Sequence, residues 1–249
     1  MYRFWTGLAA TAVLALTAGA PAHAAPALGD VVETPNIEDG ETALEVSGGS
    51  ALGKTTDDRS NQIVELEHGF NARVSGSLVA EFGQAPHESP RVNSLGVEAI
   101  VNLGTIPVLD IDTGLYIEYA QGLHGNSGVG EFRALLAKRT DRFEARLNLV
   151  AEHPFSSRDS ATAYSYLASA DWVLGRNAQA GFEAIGELGL GDSWGGRREH
   201  YVGPEVKYVI NGVPLVGIKL QAAYLVAVGD APGQSRGQAR VGIELEKRF

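Results

Sequence analysis

The C-terminal stretch Gly237–Phe249, GQARVGIELEKRF, gives the clearest indication of the fold class. Its alternate residues form an apolar set and a polar or charged set: Ala239, Val241, Ile243, Leu245 and Phe249 against Gln238, Arg240, Glu244, Glu246 and Arg248. Because the side chains of a strand point alternately to opposite faces, this pattern predicts one strand with one apolar and one charged face. The stretch is longer than the usual strand of about 5–6 residues. It also exceeds the ~9–11 residues that a tilted strand needs to cross a bilayer.

The composition agrees with a membrane-spanning β-protein and excludes other classes. The 249 residues contain no cysteine, which excludes disulfides and Cys-ligated metals, and the formal charge of −10 argues against nucleic acid as a partner. Beyond the N-terminus, no apolar run reaches the ~18–20 residues of a spanning helix. Only helices and closed barrels satisfy all backbone polar groups in lipid, so an integral protein built from this sequence must be a barrel.

Residues 1–24 have the pattern of an export signal. Arg3 supplies a positive start, Leu8–Ala20 is apolar, and Ala22-His23-Ala24 fits a cleavage site, so we expect cleavage after Ala24. An N-terminal membrane anchor is the alternative, but the apolar run is short for a spanning helix.

The next segment, residues 25–40, shows no periodicity and carries four acids without a base. Such a composition predicts a flexible segment, which we place in the periplasm. The transmembrane barrel is predicted over residues 41–249.

From Glu41 onward the sequence keeps a period of two and never changes to the helical period. Twelve segments follow this pattern: 42–52, 61–69, 71–83, 91–103, 110–121, 130–139, 142–152, 162–174, 177–188, 199–210, 214–228 and 236–249. The first two are the weakest, and without them the barrel would have ten strands. The predicted fold class is all-β, a closed antiparallel up-and-down barrel.

The connections alternate between short and long. Thr140-Asp141, Gly175-Arg176 and Asn211–Val213 are short, whereas Gly53–Ser60 and His153–Ala161 are long and polar. Outer-membrane barrels have short periplasmic turns and longer external loops. The alternation predicts this arrangement, with both termini on the short-turn side.

The apolar face is assigned to lipid rather than to a core. A soluble barrel would alternate with its apolar side inside, but the apolar face here consists of small and medium aliphatic side chains, and its aromatics cluster at strand ends. Two girdles at the membrane interfaces are therefore predicted: Phe82, Tyr119, Phe132 and Tyr164 at the long-loop end, and Phe143, Trp172 and Tyr208 at the short-turn end. Phe182, in mid-strand, does not fit.

The polar face then lines the lumen, and its acids outnumber its bases. The predicted lumen-lining residues are Glu65, Glu67, Arg73, Glu81, Glu98, Glu118, Glu131, Arg133, Glu144, Arg146, Glu183, Glu205, Lys207, Lys219, Arg240 and Glu244. Either the lumen is wet and the acids favour cations, giving a narrow pore or transporter for small solutes, or the charges pair and fill a closed structural or adhesive barrel.

Two resemblances support this reading. The C-terminal strand resembles that of Gram-negative outer-membrane β-barrels, which end on Phe, although Lys247 stands where the family usually has an apolar residue. The resemblance implies outer-membrane location, contact with its lipid, and assembly by periplasmic chaperones and the barrel-assembly machinery, which would read Val241, Ile243, Leu245 and Phe249.

A second resemblance is to outer-membrane transporters of the MetA-pathway-of-phenol-degradation type. It lies in Glu65–Arg73, Glu131-Phe132-Arg133 and Tyr201–Glu205, although His68 stands where that group usually has an aromatic. It implies a barrel with a transport function.

A lipid-modifying enzyme remains the third alternative. It would need a nucleophile and a base at the rim, and His200 with Ser193, Ser156 or Ser157 is the best candidate. No catalytic residue, cofactor or metal site is predicted, because single histidines scattered over loops do not form a recognisable ligand set.

Deletion of Phe249 tests the assembly signal. We expect the shortened protein to reach the outer membrane in clearly reduced amounts, measured by membrane fractionation, because the terminal aromatic is what the assembly machinery would recognise. Phe249→Tyr, which keeps an aromatic end, is the matched control. Normal levels of the deletion variant would contradict the assignment.

Overall fold

The computed structural model describes residues 27–53, 60–84, 89–156, 161–191, 193–194, 198–210, 216–229 and 235–248. The predicted signal peptide and Phe249 lie outside these residues. Within them the regular structure is entirely β, and no helix long and apolar enough to cross a membrane is found.

Twelve long strands form the wall, and we number them in chain order. They are β1 Glu41–Leu52, β2 Ser60–Asn71, β3 Val74–Gln84, β4 Arg91–Ile106, β5 Ile111–Gly122, β6 Val129–Arg139, β7 Phe143–Pro154, β8 Ala163–Val173, β9 Ala178–Leu190, β10 Glu199–Ile210, β11 Gly217–Gly229 and β12 Gly237–Arg248. A two-residue strand, Ser193–Trp194, pairs antiparallel with the end of β9 at Leu190 and Gly189.

The sheet closes on itself. Each strand pairs antiparallel with its sequence neighbours, and β1 pairs with β12 from Glu41↔Arg248 to Leu52↔Gly237. Closure gives every wall strand two hydrogen-bonded partners, so no sheet edge faces lipid. The predicted twelve-stranded up-and-down barrel is confirmed, and the ten-stranded alternative is wrong because both weak segments are strands.

The predicted sidedness is also found. Ile243 is 49% exposed, whereas Arg240 on the opposite face of the same strand is 6% exposed. The outer surface carries a belt of large apolar side chains, including Leu44, Leu66, Leu78, Val97, Ile117, Leu149, Val226, Val241 and Leu245. An apolar exterior around a charged interior is the arrangement that a bilayer requires.

Several strand boundaries differ from the prediction, and those near the β2–β3 turn and at the start of β11 are examples. Strand β2 continues through Gly69 and Phe70 to Asn71 with an irregular register, so the turn consists of Ala72 and Arg73. An Asn71 side-chain oxygen accepts a hydrogen bond from the Arg73 backbone N–H (2.8 Å), which stabilises this later turn. Strand β11 begins at Gly217 rather than at residue 214.

The interior contains an element that the prediction placed elsewhere. Residues 27–40 lie inside the barrel and are hydrogen-bonded to its wall, so a flexible periplasmic segment is wrong for these residues. We call residues 27–40 the N-terminal segment. Composition alone suggested disorder, but the wall supplies the partners that an isolated acidic segment lacks.

A charge on the outer belt tests the lipid assignment. We expect Leu149→Arg, at a mid-strand position that is 44% exposed, to lower the free energy of unfolding in lipid vesicles by about 2–4 kcal/mol, since a guanidinium near the bilayer centre is poorly solvated. Urea titration measures the change. Val108→Arg, in the β4–β5 turn, is the control and should be nearly neutral; equal effects would argue against a lipid-facing Leu149.

Candidate functional site: the barrel lumen

The N-terminal segment crosses the lumen from one end to the other. Ala27 lines a cavity together with Asn126 and Ser127 of the long β5–β6 loop. At its other end, the Gly40 backbone N–H donates to the Gly69 carbonyl (2.9 Å), close to the short β2–β3 turn. The segment therefore runs from the long-loop end down to the start of β1.

The wall holds this segment mainly through its backbone. The Asn148 side chain accepts from the Glu33 N–H (2.7 Å) and donates to the Glu33 carbonyl (3.0 Å). Arg146 Nη1 donates to the Val32 carbonyl (3.1 Å). These contacts align an extended stretch against β7, as a strand partner would, but with side chains in place of a second backbone.

Further wall residues bind the backbone above and below this point. Ser47 Oγ donates to the Gly29 carbonyl (2.7 Å), and Asn102 Nδ2 donates to the Pro35 carbonyl (2.7 Å). The buried backbone of the segment is thus supplied with partners by strands on several sides of the barrel.

Two wall glycines provide the space for the segment. A Cβ at Gly49 would collide with the Leu28 carbonyl, and a Cβ at Gly114 would lie 2.7 Å from the Cβ of Pro35. At both positions an added side chain would point toward the segment and would push it away from the wall. The wall is therefore shaped to let a peptide backbone approach closely.

Apolar side chains anchor the segment at two points. Val32 is buried in a cluster with Val150, Leu167, Ile185, Tyr201, Ala223 and Leu225. Ile37 packs against a second cluster formed by Ile100, Tyr116 and Leu135. The inner face is thus not uniformly polar, and its apolar patches lie where the segment passes.

Charge is distributed unevenly around the lumen. Strands β1–β5 carry the inward acids Glu45, Glu65, Glu67, Glu81, Glu98, Asp112 and Glu118, and among their described residues the only Lys or Arg is Arg91, which is exposed at the start of β4. Between this wall and the segment lies a cavity of about 390 Å³. Nine acids and a single base, Arg133, line it. We call it the acidic chamber.

Arg133 connects the chamber to the segment. Its guanidinium is buried, contacts Glu131, lies 3.4 Å from Asp30 and donates to the Val31 carbonyl (3.3 Å). It also stacks over the Tyr116 ring at 4.5 Å, while the Tyr116 hydroxyl donates to Glu98 (2.8 Å). One cation therefore offsets only part of the chamber's negative charge.

The opposite side of the lumen is charge-paired. Glu183, which is fully buried, faces Arg240 (3.0 Å). Lys207 lies 2.8 Å from Asp171 and 3.2 Å from Glu205. Pairs of this kind keep buried charges tolerable but leave little net field.

A second cavity, of about 580 Å³, lies toward the short turns. Arg139 and Arg146 both approach Glu144 at 2.9 Å on its rim. It shares Val31, Glu33 and Glu45 with the acidic chamber, so the two cavities are neighbours beside the segment. Glu41, Glu244 and Glu246 come together near its base, but Lys219 contacts Glu244 and Glu246, so this acidic group already has a cation.

The acidic side chains of the segment lie near acidic side chains of the wall. Glu33 lines the acidic chamber together with Glu45 and Glu98, and Arg133 is the single base among these acids. The backbone of the segment is well matched to the wall, whereas its charge is not.

The structure places most predicted lumen residues on the inner face. Glu65, Glu67, Glu81, Glu98, Glu118 and Glu131 line the acidic side, and Glu144, Arg146, Glu183, Glu205, Lys207, Lys219, Arg240 and Glu244 lie on the remaining wall. Arg73 is an error: it lies exposed in the β2–β3 turn, because β2 runs two residues further than predicted. The prediction missed Asn102 and Asn148, whose signal was a polar amide at an inward position.

The aromatic residues predicted as girdles point outward. Tyr119, Phe132, Trp172 and Tyr208 are exposed, Phe82, Phe143 and Tyr164 are partly exposed, and Phe143 packs edge-on against Trp172 with ring centroids 5.4 Å apart. The outward-facing part of the predicted assembly signal, Val241, Ile243 and Leu245, is exposed on β12. Placement at the interfaces and recognition by an assembly factor stay predictions.

The rim histidine considered for catalysis has an aromatic partner. His200 stacks on Tyr166, whose hydroxyl lies 3.3 Å from its Nδ1. The side chains of Ser157 and Ser193 lie outside the described part of the chain. The described contacts of His200 are those of a ring packed against Tyr166.

Solved structures share this fold at low sequence identity. An outer-membrane channel from Pseudomonas putida F1 superposes with a TM-score of 0.57 at 13% identity, covering 88% of this chain and 99% of that one. The NanC porin superposes with a TM-score of 0.57 at 9% identity, covering 83% of this chain and 100% of that one. The KdgM porin in complex with disordered oligogalacturonate superposes with a TM-score of 0.53 at 12% identity, covering 83% of this chain and 99% of that one.

No protein-family model and no curated protein matches the sequence. At these identities the structural likeness shows the fold, which is that of the Gram-negative outer-membrane β-barrels. Fold and apolar belt agree with the outer-membrane location that the sequence predicts.

Loss of the Asn148 contacts should loosen the segment. A single cysteine introduced as Val32→Cys is expected to react slowly with a water-soluble maleimide, because position 32 is buried. Adding Asn148→Ala removes two hydrogen bonds and should accelerate labelling by roughly tenfold. Asn93→Ala, an amide that lines the acidic chamber without a described contact to the segment, should leave the rate unchanged; equal acceleration by both would contradict the role of Asn148.

Proposed function

We propose that the barrel is a narrow outer-membrane pore or transporter for small solutes with a preference for cations. The carrying observation is the acidic chamber, in which nine acids face a single arginine. So many carboxylates cannot all remain ionised in a dry space, so they are either protonated or offset by water or cations, and an open lumen supplies both water and cations. Acids that line a water-filled lumen attract cations and repel anions.

The strand number fits a narrow path. Twelve strands lie between the eight whose side chains fill the bore and the sixteen that enclose a broad channel. In this barrel the N-terminal segment takes up part of the cross-section, and solutes pass between it and the β1–β5 wall or after it shifts. The solved barrels with this fold are described as a channel and as porins, which supports a pore in general and leaves the cation preference to this chain's own charges.

A closed structural barrel is the second candidate. The ion pairs of Glu183 with Arg240 and of Lys207 with Asp171, together with the segment inside the lumen, favour it. Conductance distinguishes the two functions, because a filled barrel gives no stepwise current. Enzymatic activity receives no support from the packed environment of His200.

Planar-bilayer recording of the refolded protein tests the proposal. Under a KCl gradient we expect a reversal potential whose sign shows that K⁺ crosses the barrel more readily than Cl⁻. Glu65→Gln with Glu98→Gln should lower the cation-to-anion permeability ratio at least about twofold, since both carboxyls line the acidic chamber. Anion preference, or silence of the wild-type protein at all voltages, would overturn the proposal.

Asp110→Asn provides the matched control. It removes a formal charge of the same kind from an exposed β4–β5 turn, and its left-handed backbone (φ 52°) is one that Asn adopts readily. The permeability ratio should stay at the wild-type value. A fall equal to that of the chamber variants would mean that overall charge, rather than the chamber, sets the preference.

A further inference from the structure

The contacts that hold the N-terminal segment are of a general kind. Ser47, Arg133, Arg146, Asn148 and Asn102 all bind main-chain atoms, which every peptide possesses. They follow one extended stretch from Gly29 to Pro35. Main-chain hydrogen bonds that supply affinity, with pockets for selected side chains, are a recurring mode of peptide recognition.

The side-chain requirements of the site are few. One apolar pocket takes Val32 and another takes Ile37, five residues later. The close approaches at Gly49 and Gly114 again concern backbone or near-backbone atoms. The wall thus specifies an extended chain with two aliphatic anchors. At the other positions the charge of the side chain determines how well a peptide fits.

The charge of the resident segment does not complement the charge of the wall. The segment carries Asp30, Glu33, Glu38 and Asp39 and no Lys or Arg. Asp30 pairs with Arg133, while Glu33 lies among wall acids. A peptide with the same backbone course but a basic side chain in place of Glu33 would keep the hydrogen bonds and replace repulsion by attraction.

From this mismatch we propose that the lumen is a binding site for extended cationic peptides, which the chain's own residues 27–40 occupy in their absence. The inference rests on the proposed function, because it names the class of cationic solute that the pore takes. The tethered segment competes at a high effective concentration. Only a ligand with better charge complementarity displaces it, so the resident segment also acts as a selectivity filter against neutral and acidic peptides.

Binding of a labelled peptide to the full-length refolded protein tests the proposal. The probe is a fluorescein-labelled peptide with the sequence of residues 27–38 carrying Glu33→Lys and Glu38→Lys, with Asp30 kept because it pairs with Arg133, and fluorescence anisotropy is the readout. Its Kd should be at least about tenfold lower than that of the unsubstituted peptide. A scrambled peptide of identical composition is the control for charge alone, and equal binding of probe and scrambled peptide would overturn the proposal.

Two wall variants separate backbone recognition from charge. Asn148→Ala removes the same backbone contacts from the resident segment and from a peptide that replaces it, so the apparent Kd of both peptides should stay within about twofold of the wild-type value. Glu65→Gln should weaken the cationic peptide alone. If Asn148→Ala tightens the binding of both peptides about tenfold, they displace the segment without using its backbone contacts and the inference fails.

A reversible lock gives the sharpest comparison within one protein sample. The chain has no cysteine, so Pro35→Cys with Gly114→Cys creates a single pair, and the short distance between these Cβ positions allows a disulfide after a shift of about 1 Å. Oxidation should abolish peptide binding and reduction should restore it. Heat-modifiable gel mobility verifies folding, and the Glu65→Gln comparison decides if this pair does not fold.

The recordings of cation preference keep the two claims apart. A cation-selective pore without sequence-dependent peptide binding would retain the proposed function and remove this inference. Peptide binding that persists in the oxidised, locked protein would place the peptide outside the lumen and also remove it.

Discussion

Closure of the hydrogen-bonded wall is the constraint on which the rest of the structure depends. The pairing of β1 with β12 leaves no open edge, so the whole backbone of the wall is satisfied without water. Once the sheet is closed, each strand has an inside and an outside. The period of two in the sequence then decides that aliphatic side chains meet lipid and charged side chains meet the axis.

The same constraint explains why the interior accepts a further stretch of chain. A lumen lined by amides, hydroxyls and guanidinium groups can satisfy a peptide backbone, and Asn148 does so with both polar atoms of its side chain. The apolar cluster around Val32 then removes hydrophobic surface from water. Side chains here perform the role that neighbouring strands perform in the wall, so an extended segment is stable without joining the sheet.

Much of the wall could be predicted from the sequence, because a period of two and turn chemistry are local signals. Strand β7 illustrates this: the pattern over 142–152 predicts the observed Phe143–Pro154 and its inward Glu144 and Arg146. The position of residues 27–40 could not be predicted, since its partners Asn102 and Asn148 are distant in sequence and meet it only after closure. Arg73 was misplaced because the irregular register near Gly69 lengthens β2, which an alternation pattern cannot show.

The uneven charge of the lumen connects the segment to transport. On the opposite side of the lumen several acids meet bases, as Glu183 meets Arg240, so these ion pairs need no ions from solution. On the β1–β5 side the acids face the segment, which adds Asp30 and Glu33 to the same chamber. A protein optimised only for stability would place bases there, because each unpaired buried carboxylate costs free energy. The surplus negative charge is explained if cations arrive from solution, and the backbone contacts then determine which cations are retained.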